Sequence, residues 1–233
     1  MLHIVGLGLD DGEITGKGVQ AVENAEKVFA EFYTNTQTVD LERLEEETGK
    51  QIQKLERSKV EREDRIIESA EKQETAFLVS GDPLTATTHY DIKHRAEEEG
   101  IETRIVHAPS ILTSVNETGL NVYKFGRTVT LPREGRPDSV VEHIEKNDSV
   151  GLHTLVLLDI NYTADLAAEK LAEMSGELGG REVLVVERAN SETQEITRTR
   201  MEDVTGLELG EPPHCLVLVG ETSHKEEEFL EGH

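Results

Sequence analysis

The sequence predicts an α/β fold with a largely parallel sheet. Three observations predict it: apolar runs too short for buried helices recur along the 233 residues, helical stretches separate them, and the first run empties into a glycine turn. That turn is Gly6-Leu7-Gly8-Leu9, directly after Leu2 to Val5. Glycine has no Cβ and tolerates positive φ, so such a turn lets a ligand approach the backbone at the carboxyl end of a strand.

After the strand Leu2 to Val5, a helix-start signal at Thr15 opens a helix over Lys17 to Asn24. Further strands are expected at Lys27 to Glu31, Thr75 to Val79 and Arg104 to Val106, with helices at Arg62 to Lys72 and Thr87 to Glu99. The stretch Asp40 to Lys72 is dense in Glu and Lys with Leu and Ile at helical spacing, and reads as a solvated helical face without chemistry. At Ala108-Pro109-Ser110-Ile111 the proline stops the strand and Ser110 can cap a helix, which sets a joint between domains 1–109 and 110–233. The second half repeats the logic. Strands are expected at Thr154 to Leu158, Glu182 to Val186, Glu195 to Thr199 and Cys215 to Val219, and helices at Ser139 to Lys146 and Ala164 to Ser175.

Composition sets the environment. There are 48 acidic and 24 basic residues, a formal charge of −24, with 4% aromatics and no Trp. Recurring apolar runs exclude disorder, so the excess reads as the surface of a halophilic, archaeal-type protein. In molar salt the Debye length falls to about 3 Å and an acidic surface no longer repels itself. The same field disfavours nucleic acid, whose backbone needs a Lys/Arg stripe. The single Cys215 lies in an apolar run and reads as a buried, inert thiol in a reducing cytoplasm. The chain opens on a strand with no basic and apolar leader, and no stretch approaches the roughly 20 apolar residues of a membrane span, so a cytoplasmic protein is expected.

The motifs discriminate between chemistries. A dinucleotide fingerprint fails because its third glycine would fall on Asp11, and Gly12 comes one residue late. A tight turn without ligand is the plain alternative for this segment. The second turn, Ser80-Gly81-Asp82-Pro83-Leu84-Thr85, follows the apolar Ala76 to Val79 and projects a carboxylate at the same kind of sheet edge. No metal site is expected: the nine histidines make no H-x-x-x-H pair, and His89 and His94 fall on different helix faces. Neither a Ser-His-Asp order nor a G-x-S-x-G elbow is present. His214 follows Pro212-Pro213 and precedes a buried strand, so its ring is fixed in position whether it binds a ligand or only begins the strand.

These segments together resemble the diphthine synthases. The resemblance is carried by Gly6-Leu7-Gly8-Leu9, Phe29-Ala30-Glu31-Phe32-Tyr33-Thr34, Gly81-Asp82-Pro83-Leu84 with Ala86-Thr87-Thr88-His89, and His107-Ala108-Pro109-Ser110-Ile111. It continues through Tyr123-Lys124-Phe125-Gly126, Gly151-Leu152-His153-Thr154-Leu155 to Asp159-Ile160, Arg188-Ala189 and Pro212-Pro213-His214. Gly-Asp-Pro alone would indicate only the wider tetrapyrrole-methylase superfamily.

The resemblance implies a two-domain tetrapyrrole-methylase-like α/β fold with mixed, largely parallel sheets, dimeric, with the cofactor in the cleft between domains. It implies S-adenosylmethionine as methyl donor and S-adenosylhomocysteine as product, held by Leu9, Asp82, Thr85, Ser110, Ile111, Leu158, Ala189 and His214. The implied reaction is successive methylation of the amino group on a modified histidine of translation elongation factor 2, toward diphthamide. The residue that accepts the amine's proton is not given by it. Two positions depart from the family pattern: Asn190 stands where relatives often carry glycine, and Thr85 where a more apolar residue is often found. Two rival functions share the fold: a tetrapyrrole ring C-methyltransferase, whose polycarboxylate substrate matches an acidic chain poorly, and a non-catalytic module that binds cofactor without turnover.

Overall fold

The computed structural model describes residues 1–31, 39–61 and 63–232. Phe32-Tyr33-Thr34 of the family motif and Arg62, the expected start of a helix, lie outside the described residues. The chain divides into two compact units, the first ending at Leu112 and the second beginning at Thr113.

In the first unit β1 (Leu2–Gly6), β2 (Lys27–Glu31), β3 (Ile52–Leu55), β4 (Thr75–Val79) and β5 (Thr103–Val106) form one sheet in the order β3-β2-β4-β1-β5. Every pairing is parallel. Alternate residues serve opposite cores. Leu2, Ile4, Phe29, Phe77 and Val79 join Ile66, Ile67 and Ala70 of α4 (Arg65–Lys72) and Ile92 and Ala96 of α5 (Tyr90–Glu98). Val5, Val28, Ala30, Ala76 and Leu78 join Ala21 and Val22 of α1 (Gly16–Asn24) and Leu41 and Leu44 of α2 (Leu41–Thr48). Burial on both faces is why these strands read as unbroken apolar runs. The connection from β1 passes over one face and that from β4 over the other, so the loops after these neighbouring strands open together at the carboxyl edge.

Helix α1 starts where expected, with the Thr15 hydroxyl accepting from the Gly18 amide at 3.2 Å. The stretch read as one solvated helical face is corrected. It contains α2, the edge strand β3, α3 (Arg57–Glu61) and α4, and its Leu41, Leu44, Leu55 and Val60 are core residues. The surrounding charge hid a four-residue strand that closes the sheet. Helix α5 starts at Tyr90, later than expected, because Thr87 and Thr88 serve the loop before it.

The second unit begins in the short helix α6 (Ile111–Ser114). Its sheet runs β6-β7-β10-β8-β9, formed by β6 (Val129–Leu131), β7 (Thr154–Leu158), β8 (Glu182–Glu187), β9 (Glu195–Arg200) and β10 (His214–Leu218). The β6–β7 pairing is parallel and the other three are antiparallel, so the parallel character of the fold is concentrated in the first sheet. One face packs α7 (Asp138–Asp148) and α8 (Ala164–Met174) through Val140, Ile144, Ala167, Ala168 and Leu171 against Val156, Val183, Val185, Leu216 and Leu218. Cys215 is buried and its thiol is pushed up to about 12 by desolvation, as an inert thiol should be.

Strand β6 and the terminal helix α9 (His224–Leu230) went unread in the sequence. Helix α9 opens with a capping box between Ser223 and Glu226. Glu226 is buried, and four groups satisfy its carboxylate. Oε1 accepts from the Asn121 amide at 2.9 Å and His153 Nε2 at 3.0 Å, and Oε2 from Lys124 Nζ at 2.8 Å and the Ser223 amide at 2.7 Å.

Candidate functional site

In the first unit three loops converge at the carboxyl edge of adjacent strands. The Gly8 and Gly81 backbones form an antiparallel bridge, with the Gly81 amide donating to the Gly8 carbonyl at 2.7 Å and the reverse bond at 3.3 Å. Both glycines take positive φ, +83° and +65°. A Cβ on Gly6 would stand 2.6 Å from the Gly81 carbonyl and 2.8 Å from the Ala108 Cβ, so only glycine lets the loops after β1, β4 and β5 meet. The structure thus brings together Leu9, Asp82, Thr85 and the segment leading to Ser110 and Ile111. Asp82 and Ser110 are buried, and Leu9, Thr85 and Ile111 are partly so.

Asp82 organises its own loop. Its Oδ1 accepts from the Leu84 amide at 3.0 Å and the Thr85 hydroxyl at 3.1 Å, while Oδ2 lies 2.6 Å from His107 Nδ1. The turn continues as the Thr87 hydroxyl donates to the Pro83 carbonyl at 3.0 Å. Thr85 therefore holds the carboxylate through its hydroxyl, a use that an apolar residue at that position lacks. Ser80, which follows β4, is buried with its hydroxyl unpartnered among the described residues.

In the second unit Leu158 ends β7 and is partly buried. Ala189 lies in the β8–β9 turn between Arg188 and Asn190, which take φ of +46° and +65°. Arg188 pins this turn by donating from Nη1 to the Glu211 carbonyl at 2.8 Å and from Nε to the Thr193 carbonyl at 3.1 Å. Asparagine tolerates the left-handed region better than most side chains, which suits Asn190 to its φ of +65°. His214 begins β10 and is paired in register with Glu187 of β8. Its Nδ1 accepts from the Ala164 amide at 3.2 Å, so the neutral ring carries its proton on Nε2, which is buried 3.5 Å from Glu187 Oε2 without a hydrogen bond. Desolvation lowers the His214 pKa against the opposing pull of Glu187.

Among the described residues the non-glycine positive-φ positions are Ala86, Asn161, Arg188 and Asn190. Each stands within three residues of an expected cofactor residue: Thr85, Leu158 or Ala189. Left-handed backbone at non-glycine residues concentrates at ligand sites, where surrounding contacts over-determine it. Two functional candidates were missed. His107 lies in the segment His107-Ala108-Pro109-Ser110-Ile111 with nothing local to give it a role, and only the contact to Asp82, 25 positions away, gives it one. Glu187 was hidden as the charged last residue of an apolar strand, and that break in the run was its one signal.

The family model for tetrapyrrole (corrin/porphyrin) methylases matches residues 1–205. The fold and this match define the chain as a methylase of that class. Within it, the Methanocaldococcus jannaschii protein named diphthine synthase is 37% identical, with 99% of this chain and 97% of the relative covered. The Arabidopsis thaliana protein named probable diphthine methyl ester synthase is 38% identical over the same shares. A crystal structure of diphthine synthase superposes with a TM-score of 0.93 at 37% identity, covering 99% of this chain and 94% of that one. The chain belongs to the diphthine synthase family. Relatives of this kind along the whole length set aside the ring C-methyltransferase alternative.

Proposed function

We propose that this protein is an S-adenosylmethionine-dependent methyltransferase that successively methylates the amino group of the modified histidine of elongation factor 2, in diphthamide biosynthesis. The observation that carries the reading is the likeness to diphthine synthases over 99% of the chain, which includes every loop of the candidate site. A cytoplasmic homodimer, working at high salt with S-adenosylhomocysteine as product, belongs to the same reading.

The residues present suit the cofactor by their chemistry. Asp82 uses three of its roughly four acceptor positions, which leaves one on Oδ2 for a hydroxyl or ammonium. Among the described residues the Ser80 hydroxyl and His214 Nε2 are buried polar atoms without a hydrogen-bond partner, and such atoms carry a cost until satisfied. In the first unit Leu9 and Ile111 offer apolar surface and Ser110 and Thr85 hydroxyls, and in the second unit Leu158 and Ala189 offer apolar surface. When bound, the cofactor supplies an electrophilic methyl group on a sulfonium. The protein's part is to hold the amine's lone pair in line with that group and exclude water, since alignment and desolvation supply most of the acceleration of such a displacement.

The test is mass spectrometry of elongation factor 2 carrying the unmethylated intermediate, incubated with this protein and S-adenosylmethionine in high salt. Mass gains in methyl-sized steps on that one histidine are expected, and their number counts the transfers. Cofactor binding without any gain would overturn the reading.

A further inference from the structure

Asp82 and His107 form a buried carboxylate paired with an exposed imidazole. The Oδ2–Nδ1 distance is 2.6 Å, and the His107 side chain is 69% exposed against 10% for Asp82. The other carboxylate oxygen is fixed by the Leu84 amide and the Thr85 hydroxyl, so the group cannot rotate away. An ionised carboxylate only accepts, so Nδ1 carries the proton and the neutral ring presents the Nε2 lone pair outward. Asp82 is the charged group that faces His107 among the described residues. A base oriented by a third group is the arrangement that general-base catalysis requires.

The methylation proposed above needs such a base. An alkylammonium has no lone pair at neutral pH, and every methyl added to an amine that still bears hydrogen regenerates an ammonium. We propose that His107, oriented by Asp82, is the proton acceptor of the reaction, its Nε2 removing a proton from the substrate ammonium before each transfer. The N–H bond breaks, its electron pair stays on nitrogen, and the proton moves to Nε2 and from the exposed ring to water. The nitrogen pair then forms the bond to the methyl carbon as the carbon–sulfur pair returns to sulfur, so charge and atoms balance. Asp82 stabilises the imidazolium and fixes the tautomer.

This rests on the proposed function, and the experiment separates the two. His107→Asn keeps a donor for Asp82 but has no base, whereas His107→Ala leaves room for imidazole from solution. Both variants should bind S-adenosylhomocysteine within threefold of wild type by calorimetry. His107→Asn should lose about 10²–10⁴-fold in kcat at pH 7, with the loss shrinking as pH rises toward the amine's own pKa, and added imidazole should restore His107→Ala. Nitrogen-15 NMR of the unliganded wild-type protein should find the proton of His107 on Nδ1, a readout independent of turnover. A His107→Asn variant with wild-type rate and pH profile, or a ring protonated on Nε2 alone, would overturn the proposal while wild-type methylation stands. No methylation by wild type would overturn the functional reading and this one with it.

Discussion

The amide of Gly81 donates to the carbonyl of Gly8 at 2.7 Å, joining two loops that lie 73 positions apart in sequence and follow neighbouring strands of one parallel sheet. Because β4 pairs beside β1, each loop forms one wall of the same feature, and at Gly6, the last residue of β1, no side chain fits between them.

Gly6→Ala should therefore cost more than Gly81→Ala. At Gly6 a Cβ meets the Gly81 carbonyl at 2.6 Å, and backbone cannot move aside, so overpacking of about 1–3 kcal/mol is expected together with loss of S-adenosylhomocysteine binding. At Gly81 the nearest atom to a Cβ is Leu9 Cδ2 at 3.6 Å, so only the positive φ is strained, at roughly 1–2 kcal/mol. Denaturant unfolding and calorimetry of both variants check the order. Equal costs would place the seam's energetics elsewhere.

How much of this was legible can be argued from particular residues. Strands β1, β2, β4, β7, β8 and β10 were readable because buried strands leave unbroken apolar runs. Strand β3 was not, since Ile52-Gln53-Lys54-Leu55 is a four-residue edge strand amid charge, and β6 has only three residues. The glycine turns and Gly-Asp-Pro announced themselves by turn chemistry. Their convergence did not, because it depends on β4 inserting between β2 and β1. For the same reason His107 could be seen but not paired.

The charge of −24 predicts a salt requirement. Self-repulsion of the acidic surface opposes both folding and docking of a protein substrate, and screening shortens its reach to about 3 Å at 1 M. Activity on elongation factor 2 should collapse below about 1 M salt, and thermal stability should rise with salt. Full activity in dilute buffer would remove the halophilic reading while leaving the methyltransferase intact.

Acid should destabilise the protein in two stages. His153 is buried with Nδ1 accepting from the Gly220 amide at 2.9 Å, and burial lowers its pKa from 6.5. A histidine whose folded pKa is lowered takes up protons more readily when unfolded, so its contribution is complete above about pH 6.5 and is lost as pH falls below it. Glu226 lies well below its ordinary 4.5, because donation from Lys124, Asn121, Ser223 and His153 outweighs the burial that would raise it. Its contribution is complete above about pH 4.5 and is lost below. Melting temperatures in 2 M salt, where surface repulsion is screened, should be level above about pH 7, decline below 6.5 and steepen below 4.5. A melting temperature unchanged between pH 7 and 5 would contradict the buried neutral state of His153.

Replacing Glu226 tests the same network without changing pH. Glu226→Gln keeps one acceptor for the Asn121 amide and His153 but turns an NH2 toward Lys124 and the Ser223 amide, leaving donors facing donors. Breaking a buried ion pair by removing one partner costs about 3–5 kcal/mol where both charges are desolvated. Lys124 remains 28% exposed and can turn to water, so the expected loss lies below that range, at about 2–3 kcal/mol. Lys124→Met should cost less, because the Asn121 and Ser223 amides and His153 still satisfy the carboxylate. The double variant Glu226→Gln with Lys124→Met should then be more stable than the sum of the two losses predicts, since the stranded cation is gone. Denaturant unfolding of the four proteins completes the cycle. Strict additivity would mean that the contact between Glu226 and Lys124 contributes nothing, and that Glu226 acts through the Ser223 cap, the Asn121 amide and His153 alone.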